Sequence, residues 1–271
     1  MKKFKRRSAK INILHLNILI QRYFRQILTN AGTIIPLLLE VPMMLLIVYI
    51  TASKNAFVDT NEGNASINIF LLVVVSAMMG ILNSYREICK EREILSREVY
   101  GGLDVSAYTM SKFIVLATIG ILQCTALFCG TLLFIDYNFA NPARGYALSI
   151  LSLILVNLSV TSLGLFVSAV LKKAESAILP VLVIIIVQVV FCDCLITLPP
   201  AADLVKYLTP TTWGIAVFGS VTQMNSWHKQ YFEKELYNVS PWISLGILTA
   251  ITLLFLALII IKLKRAYKQK D

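Results

Sequence analysis

Six apolar stretches, at about residues 33–53, 66–84, 109–135, 146–171, 176–197 and 241–262, constrain this chain more than anything else in it. Each approaches or exceeds the roughly 20 residues an α-helix needs to cross ~30 Å of hydrocarbon, where backbone groups find no water and must be satisfied inside their own helix. Composition agrees, with 57% of the 271 residues hydrophobic and 15% charged and a mean hydropathy of +0.74. Average soluble domains carry about 25% charged residues. The chain is therefore expected to be an all-α polytopic membrane protein with six transmembrane helices.

The distribution of Lys and Arg sets the expected orientation. With the N-terminus inside, the inner segments hold 8, 5, 2 and 5 basic residues, against Lys54, Arg144, Lys206, Lys229 and Lys234 outside. Both termini are thus expected to be cytoplasmic. The net charge of +10 follows from this bias and from attraction to anionic membrane lipid, and gives no ground for a nucleic-acid partner.

The N-terminal "MKKFKRRSAK" is not followed by a signal peptide, because His15, Asn17, Arg22 and Arg25 break the apolar run and no small-residue cleavage site appears. Ile13, Leu16, Ile20, Phe24 and Ile27 recur at helical spacing instead. Such a helix lies along the inner leaflet or simply anchors the first span. Residues 1–32 are read as a basic tail with this helix, 33–262 as the six-helix domain, and 263–271 as a second basic tail. Of the cysteines, Cys89, Cys124 and Cys129 read as small apolar residues. Cys192 and Cys194, two residues apart, point away from each other on a helix; they read the same way, with a redox or metal role as the alternative.

Several chemistries are missing. Gly-Lys never occurs, so the chain has no phosphate-cradling loop and no ATPase of its own. His15 and His228 are the only histidines, which removes an HExxH metalloprotease, and no G-x-S-x-G elbow is present. A membrane-embedded lipid or prenyl enzyme would need clustered acids or histidines at the inner interface, where only the paired charges of one loop occur.

That loop, "REICKEREILSREVYGGLDVSAY" from Arg86 to Tyr108, places four basic and five acidic residues between two apolar runs. As a helix from Arg86 to Val99 it puts Ile88, Leu95 and Val99 on one side, with Glu93–Arg97 and Glu87–Lys90 as i,i+4 and i,i+3 pairs. Exposed pairs contribute only a few tenths of a kcal/mol each, so stability does not account for the block. A short zwitterionic helix ended by Gly101 and Gly102 suits docking onto a soluble partner.

The loop resembles the one between the second and third spans of ABC type-2 permeases, and more narrowly of ABCG-like (White) half-transporters and their bacterial relatives. Arg86, Glu87, Lys90, Glu91, Arg92, Arg97, Glu98, Gly102, Tyr108, Ser111 and Lys112 match the pattern. "LGLFVSAVLKKAESAILPVLVIIIVQVVF" is similar to the family's later run through Gly164, Ser168, Ala169, Ala177, Pro180, Gln188 and Phe191, and "KYLTPTTWGIAVFG" to the segment after the fifth span. Arg22, Tyr23 and Pro42 fit the connecting helix and first span. Asp193 and Glu40 depart from the pattern, and residues 198–240 lack the cysteines that form disulfides in animal members.

The resemblance implies a plasma-membrane (cytoplasmic-membrane) exporter subunit for a hydrophobic or amphipathic lipid, drug or peptide. Two copies, or one copy and a paralogous permease, would sit above two ABC ATPase subunits; a chain beginning about 30 residues before its first span implies a separate ATPase polypeptide. No cofactor is expected on this chain, with ATP and Mg on the ATPase. Residues 86–99 would be the coupling helix and residues 199–219 short re-entrant helices before the last span. An immunity or sensing complex that binds an antimicrobial peptide is the alternative.

Glu91, Arg92, Arg97 and Glu98 are the candidates for coupling, pairing with Arg22 or Arg25. Ser76, Met79 and Asn83 on the second span, and Gln188, Phe191 and Asp193 on the fifth, are candidates for the substrate path; hydrogen bonding and packing between helices is the competing reading. Glu40 lies between Pro36 and Pro42, at a depth where an unpaired charge costs at least about 2.5 kcal/mol. It needs a polar partner, a Pro-freed carbonyl or a proton. Asp193, nearer the outer surface, is a candidate for an outer gate or for binding a substrate cation.

Overall fold

A computed structural model describes residues 13–57, 63–139, 141–192, 203–227 and 235–268. In chain order the helices are α1 (Ile13–Thr29), α2 (Ala31–Thr51), α3 (Gly63–Ser84), α4 (Arg92–Tyr100), α5 (Val105–Thr131), α6 (Pro142–Val170), α7 (Ile178–Val190), α8 (Asp203–Lys206), α9 (Pro210–Val221), α10 (Met224–Trp227) and α11 (Pro241–Lys268). Among the described residues five helices are long and apolar enough to cross a membrane: α2, the helix that begins as α3, α5, α6 and α11.

Local chemistry places the helix ends. Asn30 caps α2 by accepting from the Gly32 amide at 3.0 Å, and Asp104 caps α5 by accepting from the Ser106 amide at 3.0 Å. Asn141 caps α6, with Pro142 in its first turn where the missing N–H costs nothing. α1 is amphipathic and buries Leu19, Tyr23 and Ile27. Its packed face therefore centres on Tyr23, while Ile13, at the edge of the expected stripe, is exposed.

α6 sits at the centre of the bundle and packs against α3, α11, α9 and α5. Small residues let the backbones meet. A Cβ at Gly80 would collide with the Asn157 carbonyl, and one at Gly164 with the Ser84 hydroxyl. Polar side chains then bond across the contact, with Ser76 donating to the Leu153 carbonyl at 2.7 Å and Asn157 donating to the Ser76 carbonyl at 3.0 Å. In hydrocarbon, close packing and such interhelical bonds replace the hydrophobic drive that lipid removes.

The expected fifth span, 176–197, appears as a 3-10 turn at Glu175–Ala177 followed by the 13 residues of α7. At 1.5 Å per residue α7 spans about 20 Å, short of a bilayer core. The chain turns at Phe191 and Cys192 because it is pinned sideways: Gln188 accepts from the Thr211 amide at 3.3 Å and hydroxyl at 2.9 Å, and the Phe191 carbonyl accepts from Thr212 at 3.2 Å. These bonds tie α7 to the start of α9. Every residue of α9 from Pro210 to Gly219 is buried, so this segment is part of the interior. Asp193 and Cys194 lie outside the described residues.

Candidate functional site

The charged loop gathers five elements. It is broken where one helix was expected over 86–99: a turn leads into a 3-10 turn at Cys89–Glu91, and only then does α4 begin. The cause is Ser168 on α6, whose hydroxyl accepts from the Ile88 and Cys89 amides at 2.9 and 3.0 Å. Two donors are thereby bound to a neighbouring helix. Ile88, Leu95 and Val99 nevertheless face inward together and are buried, as their spacing required.

A buried ion cluster lies beneath the loop. The Lys112 ammonium, on the first turns of α5, donates to Glu91 at 2.8 Å and to Glu87 at 3.5 Å, with its side chain 3% exposed. Tyr108 donates to Glu91 at 3.0 Å, Gln26 on α1 donates to Glu91 at 3.3 Å, and Tyr23 on α1 donates to Glu87. Lys90 pairs with Glu87 from the rim, and the Lys112 nitrogen lies 3.5 Å from the centroid of the Tyr23 ring. Two carboxylates face two ammoniums, so the cluster balances its own charge, which is the condition for keeping ions out of water.

Burial by itself raises the Glu91 carboxyl, but the Lys112 charge, with hydrogen bonds from Lys112 and Tyr108, outweighs it and holds Glu91 below the usual carboxylate range. Burial, reinforced by Glu87, pushes the Tyr23 phenol well up. It therefore stays protonated and stays a donor.

The coupling candidates separate into two groups. Arg22 donates to both oxygens of Glu98 at 2.5 and 3.2 Å, joining α1 to α4. Arg92 donates to the Leu171 carbonyl at the end of α6, at 2.5 Å, and Glu91 belongs to the buried cluster. By contrast, Arg25 and Arg97 are exposed. Among the described residues neither forms an ion pair, and the expected Glu93–Arg97 pair is absent. Glu93, Ile94, Arg97 and Tyr100 form the outward face of α4.

The substrate-path candidates do not line one space. Ser76 and Met79 are fully buried within the bundle, Ser76 bonding α6. Gln188 and the Phe191 carbonyl hold α9, as described above. Asn83 is partly exposed and donates to Glu40 on α2 at 3.0 Å. In Ser76 and Gln188 the polar groups serve helix packing, the competing reading of the same residue types.

Sequence reasoning left Glu87, Lys112, Tyr23 and Tyr108 out of the site. A usable signal was Lys112 itself, a lysine at the edge of the apolar stretch 109–135. Such a residue calls for buried acids as partners.

Long apolar helices around a polar-bonded centre, with a charged loop clamped at one end, define a multi-pass membrane protein. The ABC-2 type transporter family matches residues 15–222, and the chain belongs to that family. It is also similar to the ABC transporter ATP-binding/permease protein Rv1747 of Mycobacterium tuberculosis, 30% identical over 164 residues, 57% of this chain. The chain spans only 18% of that protein's length. This is the membrane domain of an ABC-2 type transporter, a kind of domain that works with an ATP-binding partner or domain and typically lacks ATPase activity itself.

Proposed function

We propose that this chain is the permease of an ATP-driven exporter, with both termini and the 85–104 loop in the cytoplasm, working as a homodimer or with a paralogous permease above two separate ABC ATPase subunits. ATP and Mg are held by those subunits. The cargo is hydrophobic or amphipathic. The observation that carries this reading is the set of contacts joining α4 and the turn before it to three helices: Arg22–Glu98 reaches α1, the buried pairs of Lys112 with Glu87 and Glu91 reach α5, and Arg92 and Ser168 reach α6, so a push on the outward face of α4 is passed on by side-chain contacts. Glu93, Ile94, Arg97 and Tyr100 form the docking face, and Arg22–Glu98 and Arg92 transmit its movement to α1 and α6.

Charge reversal tests it. In a reconstituted complex, Glu98→Arg is expected to abolish substrate-stimulated ATP turnover, and adding Arg22→Glu to restore part of it by re-forming the pair with its charges exchanged. Full activity in the Glu98→Arg protein overturns the role of the pair.

A further inference from the structure

A second polar cluster lies inside the membrane-spanning part, with Gln123 about three helical turns along α5 from Lys112 and Asn83 in the last turn of α3, just before the charged loop. Near the middle of α2, Oε2 of Glu40 accepts from Asn83 on α3 at 3.0 Å and from Gln123 on α5 at 2.8 Å. Asn83 also donates to Gln123 Oε1 at 3.0 Å, and Gln123 to the Leu37 carbonyl at 3.3 Å. The carboxylate fixes how the amides are turned, since only their nitrogens can face it.

Counting donors and acceptors shows an imbalance. Two amide groups supply four N–H donors, and the four bonds above use them all. Glu40 Oε1 and Asn83 Oδ1 remain as acceptors without a partner among the described residues. Glu40 and Asn83 are both partly exposed, so a molecule from outside the protomer can reach these two residues.

Among the described residues no Lys or Arg pairs with Glu40. α2 and α3 contain no Lys or Arg. α5 carries only Lys112, eleven residues from Gln123 and held by Glu87 and Glu91. α1, which also packs on α2, carries His15, Arg22 and Arg25; Arg22 is bound to Glu98. A primary ammonium brings both a positive charge and three donors, enough for both oxygens. Exposed Leu39, Met43 and Leu82 supply an apolar surface nearby for an alkyl chain.

We propose that Glu40, Asn83 and Gln123 form an intramembrane binding site for the ammonium group of an amphiphile, with Glu40 Oε1 and Asn83 Oδ1 as its acceptors. That the ammonium belongs to cargo rests on the exporter reading; that it binds does not, and binding is measured without ATP turnover. The full chain in detergent is titrated with radiolabelled hexadecylamine at neutral pH and competed with unlabelled hexadecylamine, hexadecanol, phosphatidylethanolamine and phosphatidylcholine. Saturable binding displaced by the amine and not by the alcohol is expected, weakened at least about tenfold by Glu40→Gln and kept by Glu40→Asp.

Displacement by phosphatidylethanolamine alone of the two lipids identifies a lipid headgroup as the source; displacement by neither identifies a free amphiphilic amine. If Glu40→Gln does not fold, the wild-type protein decides: N-acetyl-hexadecylamine, which lacks the charge and two of the three donors, is expected to bind at least about tenfold more weakly than hexadecylamine. Equal competition by hexadecanol, wild-type affinity in Glu40→Gln, or equal affinity for the acetylated amine overturns the site. The Glu98→Arg result above is independent of these outcomes, so failure of one reading leaves the other standing.

Discussion

The two ends of the bundle are held by different forces. At the charged end, α1, the loop and α5 meet through Lys112, Glu87, Glu91, Tyr23 and Tyr108. At the other end, the connections after α2 and after α5 meet through stacked rings. Tyr137 lies 5.1 Å from Phe57 and 5.6 Å from Phe139, and Phe139 lies 5.0 Å from Tyr146. One backbone bond, from the Asp136 amide to the Lys54 carbonyl at 3.0 Å, joins the two connections. Buried ion pairs are directional and costly to leave half-made, so the charged end moves as one piece or breaks. Ring contacts tolerate small slips in register, and their strength is spread over area. The first arrangement suits transmitting a movement, the second closing an end.

The sharpest way to break this contrast is Lys112→Met. It leaves two carboxylates buried without their central cation and is expected to cost about 3–5 kcal/mol, read as thermal unfolding in detergent. A loss below about 1 kcal/mol would mean that water reaches Glu87 and Glu91, and the buried clamp would have to be given up. At the opposite end Tyr137→Leu removes ring contacts with Phe57, Phe128 and Phe139 and a hydrogen bond with Thr131, for an expected loss of about 1–2 kcal/mol that is insensitive to salt.

Acid separates the two ends. Because the folded carboxyl of Glu91 is depressed, the stabilisation it contributes is complete above its unfolded value of about 4.3 and is lost as pH falls through the lower folded value. Protection against hydrogen exchange at residues 85–112, corrected for the intrinsic pH dependence of amide exchange, is therefore expected to be unchanged from pH 7 to about 5 and to fall below about pH 4, while that of residues 132–146 responds less. Opening already near pH 6 would point to a different titrating group. The smallest expected change in stability is from Arg22→Gln. The pair with Glu98 is partly exposed, with side chains 48% and 27% accessible, and contributes no more than about 1 kcal/mol. Its effect on ATP-driven activity is expected to be far larger than its effect on unfolding, and equal effects would make it an ordinary surface ion pair.

What could be read in advance follows from period and composition. α1 was foreseen from apolar residues at helical spacing, and the inward face of the loop from Ile88, Leu95 and Val99, because a helix turns every 3.6 residues whatever it packs against. Arg22 and Glu98 were both named in advance, but which of the four loop charges meets Arg22 and which meets Arg25 was left open; the structure pairs Arg22 with Glu98. Substrate-path candidates were chosen for being polar within apolar runs, and that criterion does not separate Ser76, which bonds a neighbouring helix, from Asn83, which faces Glu40.

The sequence by itself determined that the chain is helical and crosses a membrane, and that one loop concentrates its charge, since hydropathy and helical period are local properties written along the chain. Only the tertiary structure decided that Ser168 interrupts the loop helix, that α7 stops at 13 residues, and that Lys112 and Glu40 end in opposite circumstances. One is a cation enclosed by acids; the other is an acid held by amides, with no cation paired to it among the described residues. Both outcomes depend on which residues distant in sequence arrive within a few ångströms, and burial and hydrogen bonding are set at that range.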